Sequence, residues 1–210
     1  MIWFTSDTHW GHKNIIKHTE RPFGSVRQMD EALVKNWNRV VKKGDIVYHL
    51  GDVGHKCSPA YLKKILDQLN GRIYLIHGNH DRVAMSTQCK GRFESITPLK
   101  EAFITDSSSR KGRRVIVLCH YAMRVWNMRH WGSWHLYGHS HGTGDGTWQG
   151  IPIFNLGSPY YLSYNPDGRG HYTVFRITDG KIYAFDVSWD PADPTSLQAP
   201  DNWTRVVDLP

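Results

Sequence analysis

Aspartate, asparagine and histidine recur in five short clusters along this chain: Asp7-Thr8-His9, Gly51-Asp52, Gly78-Asn79-His80-Asp81, His120 and Gly138-His139-Ser140-His141. Their side chains are hard to borderline donors for divalent cations. Each cluster follows a short apolar run. The pattern describes several strands delivering ligands to one rim, the way a two-metal hydrolytic site is assembled. Taken singly, Asp7-x-His9 and Gly51-Asp52 say little, because such groupings arise by chance in most proteins. The ordered set says much more.

The runs that must position these residues read as strands at 2–5, 46–50, 72–76, 115–119, 135–137 and 151–154, by length and β-branched content. The first five lead into Asp7, Asp52, Asn79, His120 and His139. In open α/β sheets, sites form outside the carboxyl ends of the strands. A helix is predicted over 28–41, with Met29, Leu33, Trp37, Val40 and Val41 on one face and Ser25 with Gln28 as a capping box. A second starts at Ser58 and Pro59, buries Leu62, Ile65, Leu66 and Leu69, and ends at Asn70-Gly71. Two hairpins follow: 102–105 against 114–119, and 172–178 against 181–187 across an Asp179-Gly180 turn. Strands separated first by helices and then by hairpins imply an α/β fold with mixed sheets. The expected division is one domain over 1–188 and a Pro-rich tail over 189–210.

Composition bounds the class. At 210 residues, 40% hydrophobic and 21% charged, the chain has ordinary globular composition and room for one well-buried core. No apolar stretch approaches the roughly 20 residues that span a bilayer. The opening Met1-Ile2-Trp3-Phe4-Thr5 lacks a basic leader, and three cysteines without a C-x-x-C pair suggest neither a disulfide framework nor a zinc-thiolate site. A cytoplasmic setting is expected. The net charge of +7 favours anionic partners, although Lys and Arg are spread in pairs rather than gathered in one arm.

The ordered clusters resemble the calcineurin-like metallophosphoesterase superfamily, whose pattern runs D-x-H, G-D, G-N-H-D/E, a lone His, and G-H-x-H. The resemblance covers about residues 1–160, and Asp7-Thr8-His9-Trp10-Gly11-His12, Arg21-Pro22-Phe23 and Leu50-Gly51-Asp52 look like small single-domain bacterial or phage members. It implies a four-layer fold in which two mixed β-sheets form a sandwich flanked by helices. It also implies two divalent ions, manganese first, with iron, zinc or nickel as alternatives. Asp7, His9, Asp52 and His141 would hold one, and Asp52, Asn79, His120 and His139 the other, with Asp52 as the bridge. His80 would be the general acid, aided by Asp81. The implied reaction is hydrolysis of a phosphodiester or phosphomonoester by a metal-bridging hydroxide, an imidazole protonating the leaving oxygen. Nucleotide or nucleic-acid-fragment phosphodiesters are the expected substrates, and no membrane partner is.

Departures from the pattern matter. Where the serine/threonine phosphatase branch has an Asp that orients the catalytic His, this chain has His55, and Lys56 replaces the Arg that follows. These count against a protein phosphatase. After the last strand, Asn155-Leu156-Gly157-Ser158-Pro159 replaces a Val-Gly-Val-Asp-like run. A scaffold that has lost catalysis, as in the retromer subunit similar to this family, is the other alternative; such a protein need not keep a full ligand set. Arg82, directly after the Gly-Asn-His-Asp cluster, is the expected phosphate contact, and His12 supports a ligand or the substrate. In the stretch 121–135, Arg124 could grip phosphate and Trp126 stack a base; packing of the Trp residues against the core is the equal alternative.

Overall fold

The computed structural model describes residues 1–19, 21–105 and 111–141, and beyond them the backbone of strands at 146–148, 151–155, 170–178, 181–190, 193–198 and 204–207. In chain order the first half contains β1 (Ile2–Thr5), α1 (Lys13–His18), α2 (Val26–Val40), β2 (Ile46–His49), α3 (Pro59–Leu66), β3 (Arg72–Ile76) and β4 (Phe93–Thr97). Then come β5 (Leu99–Thr105), β6 (Arg113–Cys119), β7 (Trp134–Tyr137), β8 (Gly146–Trp148) and β9 (Ile151–Asn155). The chain finishes with β10 (Gly170–Thr178), β11 (Lys181–Asp190), β12 (Asp193–Gln198) and β13 (Thr204–Val207).

These strands form two mixed sheets. The first runs β12-β11-β10-β1-β2-β3-β4, with β13 also on β11. Its β1 to β4 are mutually parallel, while β10 is antiparallel to β1. The second runs β5-β6-β7-β9-β8, parallel across β6, β7 and β9. Alternation of side chains splits β1, β2 and β3 of the first sheet between two cores. Trp3, Val47, Ile73 and Leu75 face the helices and meet Ile15, Met29, Leu33, Trp37 and Leu62. Phe4, Leu50 and Ile76 face the second sheet and meet Ile104, Ile116, Leu118, Trp134 and Leu136. Burial on both faces is why these strands read as continuous apolar runs rather than as alternating ones.

Local signals set the helix starts. The Ser25 hydroxyl accepts the Gln28 N–H at 3.2 Å, and the Gln28 side chain accepts the Gly24 N–H at 2.9 Å. The Ser58 hydroxyl likewise accepts from Tyr61, with Pro59 opening α3. Thr178 pairs with Lys181, as the second hairpin requires, while residues 179–180 lie outside the described residues. Residues 156–159, where the chain departs from the family pattern, lie outside the described residues.

Other elements were not legible. The strand β4 carries Glu94, Ser95 and Thr97 at the sheet edge, and so lacks an apolar signature. The stretch from 189 onward, expected as an extended tail, contributes β12 and β13, both paired to β11. Pro194 lies in β12 at the end of the sheet, where a missing N–H is tolerated. Among the described residues, the 121–133 loop packs on part of the outer face of the second sheet. Trp126 of that loop packs on the His135 ring at 5.3 Å.

Phe4 is fully buried between the sheets, with its ring stacked on Tyr48 at 5.4 Å. Phe4→Ala is expected to lower unfolding free energy by about 3–5 kcal/mol. Urea denaturation measures it, and a loss below about 1 kcal/mol would show that the sheets do not pack through this ring.

Candidate metal centre

The parallel strands β1, β2 and β3 end side by side, and their exit loops carry Asp7 and His9, Asp52, and Asn79. Ladder-like bonds continue past the strand ends: Asp7 N–H donates to Gly51 O at 2.9 Å and His9 N–H to Asp52 O at 3.0 Å. From the second sheet, β6 and β7 bring His120 and His139, and Gly138 N–H donates to His120 O at 2.9 Å. The sequence-predicted ligands therefore converge on one seam. Asp7, His9 and His141 form one group whose donor atoms lie within 4.8 Å of one another, and Asp52, His120 and His139 form a second.

Asp52 joins the groups. Its Oδ2 stands 3.6 Å from His9 Nε2 and 3.6 Å from His120 Nε2, while its Oδ1 accepts the His80 backbone N–H at 2.9 Å. The tautomer of His120 follows from its surroundings. Nδ1 faces the Leu50 carbonyl at 2.7 Å and must donate, which leaves a lone pair on Nε2 of the neutral ring. That lone pair points at Asn79 Oδ1, 3.2 Å away, and at Asp52 Oδ2. Lone pairs aimed at one another at such distances repel unless a cation lies between them. In the other group, both ring nitrogens of His9 are buried without a hydrogen-bond partner, as is His141 Nδ1. Orphaned imidazole nitrogens beside buried carboxylates suit divalent ions bound at about 2.0–2.2 Å.

The backbone is strained where the donors are. Among the described residues, seven that are not glycine have positive φ, and five of them are Asp7, His9, Asp52, His139 and His141. Such conformations cluster at functional sites and persist only where surrounding contacts enforce them. Those contacts are visible. The Arg21 guanidinium, buried behind the first loop, donates to the carbonyls of Asp7 and Thr8 at 2.8 Å each. The Asp81 carboxylate accepts three backbone N–H groups, from Asp52, Val53 and Gly78, at 2.7–2.8 Å. Two glycines of the motifs are explained by proximity. A Cβ on Gly78 would fall 2.7 Å from the His120 ring, and one on Gly138 would fall 2.5 Å from Asp7 Oδ2.

The remaining expected residues are distributed differently. His80 lies at the half-buried mouth, its ring 4.1 Å from that of His55 and 5.8 Å from that of His9. Asp81, expected beside His80 in the chemical step, instead has both carboxylate oxygens engaged by the three amides. His12 is buried edge-on to His55 at 4.6 Å, close to the centre. Arg82 and Arg124 are exposed. Trp126 is 5% exposed and donates its indole N–H to Ser133, so it packs and does not line the centre. Two residues were missed. Arg21 lies in the Arg21-Pro22-Phe23 segment, and nothing in a sequence shows which loop a guanidinium braces. Tyr121 packs against His120 at 5.0 Å and His139 at 4.8 Å; its position directly after His120 was the available signal.

Burial dominates the electrostatics. It pushes the Asp7 carboxyl well above its usual range, with the Asp52 charge adding to the effect and the Ser6 hydroxyl opposing it. It holds His9 and His120 below the usual imidazole value and His141 at about 4. Neutral imidazoles are the ligand form.

The chain belongs to the calcineurin-like phosphoesterase family, whose sequence model matches residues 1–205. It is 49% identical over 82 residues to an uncharacterized protein of Methanocaldococcus jannaschii, a match covering 39% of this chain and 47% of that one. It is also 37% identical over 81 residues to the Gene 66 protein of Mycobacterium phage L5, covering 38% and 39%. The chain thus spans less than half the length of these curated relatives. Among solved structures it is similar to a protein of unknown function from Aquifex aeolicus, with a TM-score of 0.55 and 25% identity, covering 75% of this chain and 89% of that one. An archaeal phosphodiesterase (TM-score 0.50, 19% identity, 89% and 99% covered) shares the fold. So does Vps29 from Entamoeba histolytica in complex with zinc (TM-score 0.51, 14% identity, 98% and 97% covered).

Because the space a Gly78 side chain would need is taken by Asp52 and His120, Gly78→Ala is expected to weaken divalent-metal binding by roughly 10- to 100-fold, read by titration calorimetry; unchanged binding would place the ions elsewhere. A second expectation concerns acid. The Thr8 hydroxyl donates to Val53 O, so His49 must donate to it, and burial holds this neutral His49 at about 3. Below about pH 6.5 the unfolded chain takes up a proton there that the fold refuses, so this contribution to stability is complete above 6.5 and is lost as pH falls toward 3. The metal-free protein should lose unfolding free energy over that window, and His49→Gln should flatten the slope. An unaltered slope would exclude His49 as its source.

Proposed function

We propose that the chain is a metal-dependent hydrolase of phosphate esters, with phosphodiesters of nucleotides or nucleic-acid fragments as its preferred substrates. The observation that carries this reading is the position of Asp52 Oδ2, equidistant at 3.6 Å from an imidazole of each donor group. Asp7, His9, Asp52 and His141 would hold one divalent ion, and Asp52, Asn79, His120 and His139 a second. Manganese is the first candidate, and iron, zinc and nickel are the alternatives. Such ions would neutralise phosphate charge and lower the pKa of water.

The chain's own residues would do the rest. Asn79 and His139 are exposed at the rim, so an ester oxygen can reach the seam from solvent. His80 stands beside them and, as the imidazolium, would give a proton to the leaving oxygen and be left as the neutral ring. Its backbone is fixed by the bond to Asp52, and its ring is flanked by His55 instead of a carboxylate. Asp81 would act as a positioning residue that locks the loops of Asp52 and Asn79 together. The net charge of +7 supports an anionic, nucleotide-like substrate. The free thiols of Cys57, Cys89 and Cys119 suit a reducing, cytoplasmic setting, and no helix among the described residues is long and apolar enough to cross a membrane.

The similarity of fold to Vps29 keeps a non-catalytic scaffold as the second reading; the convergent donor set counts against it. His55 and Lys56 count against a protein phosphatase.

Given manganese, the purified chain should cleave a chromogenic phosphodiester or monoester; no turnover on either with any divalent ion would remove the enzyme reading. Asp52→Asn should lose metal and activity together. His80→Ala should keep both ions, by mass spectrometry, and lose turnover by about 10²–10⁴-fold. If His80→Ala also emptied the site, the division between ligand and acid would fail.

A further inference from the structure

A groove of about 810 Å3 lies away from the metal centre, at the far end of β6. It is lined by Phe103, Lys111, Arg113, Arg114, Met128 and Trp131, among others. Trp131 is 73% exposed and Phe103 54%. Trp is well buried on average, so an open Trp beside an open Phe marks a contact surface. Cations accompany them. The Arg113 guanidinium sits 5.4 Å over the Phe103 ring, and that of Arg114 lies 4.5 Å over Trp134. Lys111 is exposed. No carboxylate among the described residues lines the groove.

The groove is joined to the centre. Six strand steps separate Arg113 from Cys119, about 20 Å at the usual rise, and His120 follows directly. The 121–133 loop covers the same span, with Tyr121 against His120 and His139 at one end and Trp131 at the other. Arg124 of this loop is exposed. Exposed aromatic rings at both ends of that span, with cations in the groove and Arg124 in the connecting loop, suit the bases and phosphates of a flexible single strand, whereas a small ester would fill only one end.

We propose that the face from Tyr121 to the Phe103–Trp131 groove is an extended binding track for single-stranded nucleic acid, whose backbone it leads to the metal centre. The proposal rests on the phosphoesterase reading for what happens at the centre, but not for binding. The aromatic partner expected at Trp126 is thereby moved to Trp131, because Trp126 is buried.

The test uses the full chain and a fluorescently labelled oligothymidylate of 12 nucleotides, with chelator present so that no cleavage occurs. Binding should weaken steeply with salt, the logarithmic slope being about −0.7 per phosphate contacted. Trp131→Ala and Arg113→Ala should each raise the dissociation constant roughly 10-fold or more. With manganese, both variants should turn over the chromogenic phosphodiester at the wild-type rate, which also shows that they fold. Wild-type affinity in both variants overturns the track, as does failure of the oligonucleotide to bind while a dinucleotide is still cleaved. Self-association that Trp131→Ala abolishes, with oligonucleotide binding intact, also overturns it and gives the groove to a second copy of the chain. Binding sensitive to both variants in a chain without turnover on any ester would support the track and remove the enzyme reading instead.

Discussion

Two carboxylates, Asp7 and Asp52, are buried at the seam of the two sheets, each beside imidazole nitrogens. A carboxylate without a charged partner is strongly disfavoured in an apolar interior, which is why the Asp7 carboxyl is driven toward its neutral form. The rest of the architecture can be understood as what keeps this arrangement closed. Both sheets must present their strand ends to the same seam, and both hydrophobic cores must hold them there.

The scaffold divides that work by layer. The helix-side core, with Trp3, Met29, Leu33 and Trp37, fixes the parallel strands whose exits carry Asp7, Asp52 and Asn79. The inter-sheet core, with Phe4, Ile116 and Trp134, fixes the distance to the strands that bring His120 and His139. Polar braces then set the loops themselves. Arg21 holds the first from behind through two carbonyls, and Asp81 ties the second to the third through three amides. Asp30 adds a further brace, accepting from Gly11 N–H and the Tyr61 hydroxyl; its burial raises it to about 6. Left-handed backbone at five donors is stable only because so many partners enforce it.

Much of this is legible in the amino-acid sequence. Strand positions and donor identities could be read because an apolar run followed by Asp or His is a local pattern, and the order of the five clusters restricts how the strands can be arranged. The N-caps at Ser25 and Ser58 are equally local. What could not be read depends on contacts between distant segments. Trp126 and Trp131 lie five positions apart with the same chemistry, yet one is buried on His135 and the other is open. The strand β4 shows no alternation because it closes an edge. The role of Asp81 was hidden for a related reason: a motif displays a carboxylate but not the amides that surround it.

Gly78 and Gly138 carry a consequence for how such a centre could be lost. Each leaves no room for even a methyl group beside a donor side chain. Erosion by small steps is therefore closed at these positions, since the first carbon added evicts His120 or crowds Asp7. A side chain at either position would disturb the cage directly, at Gly78 through Asp52 and His120 and at Gly138 through Ser6 and Asp7.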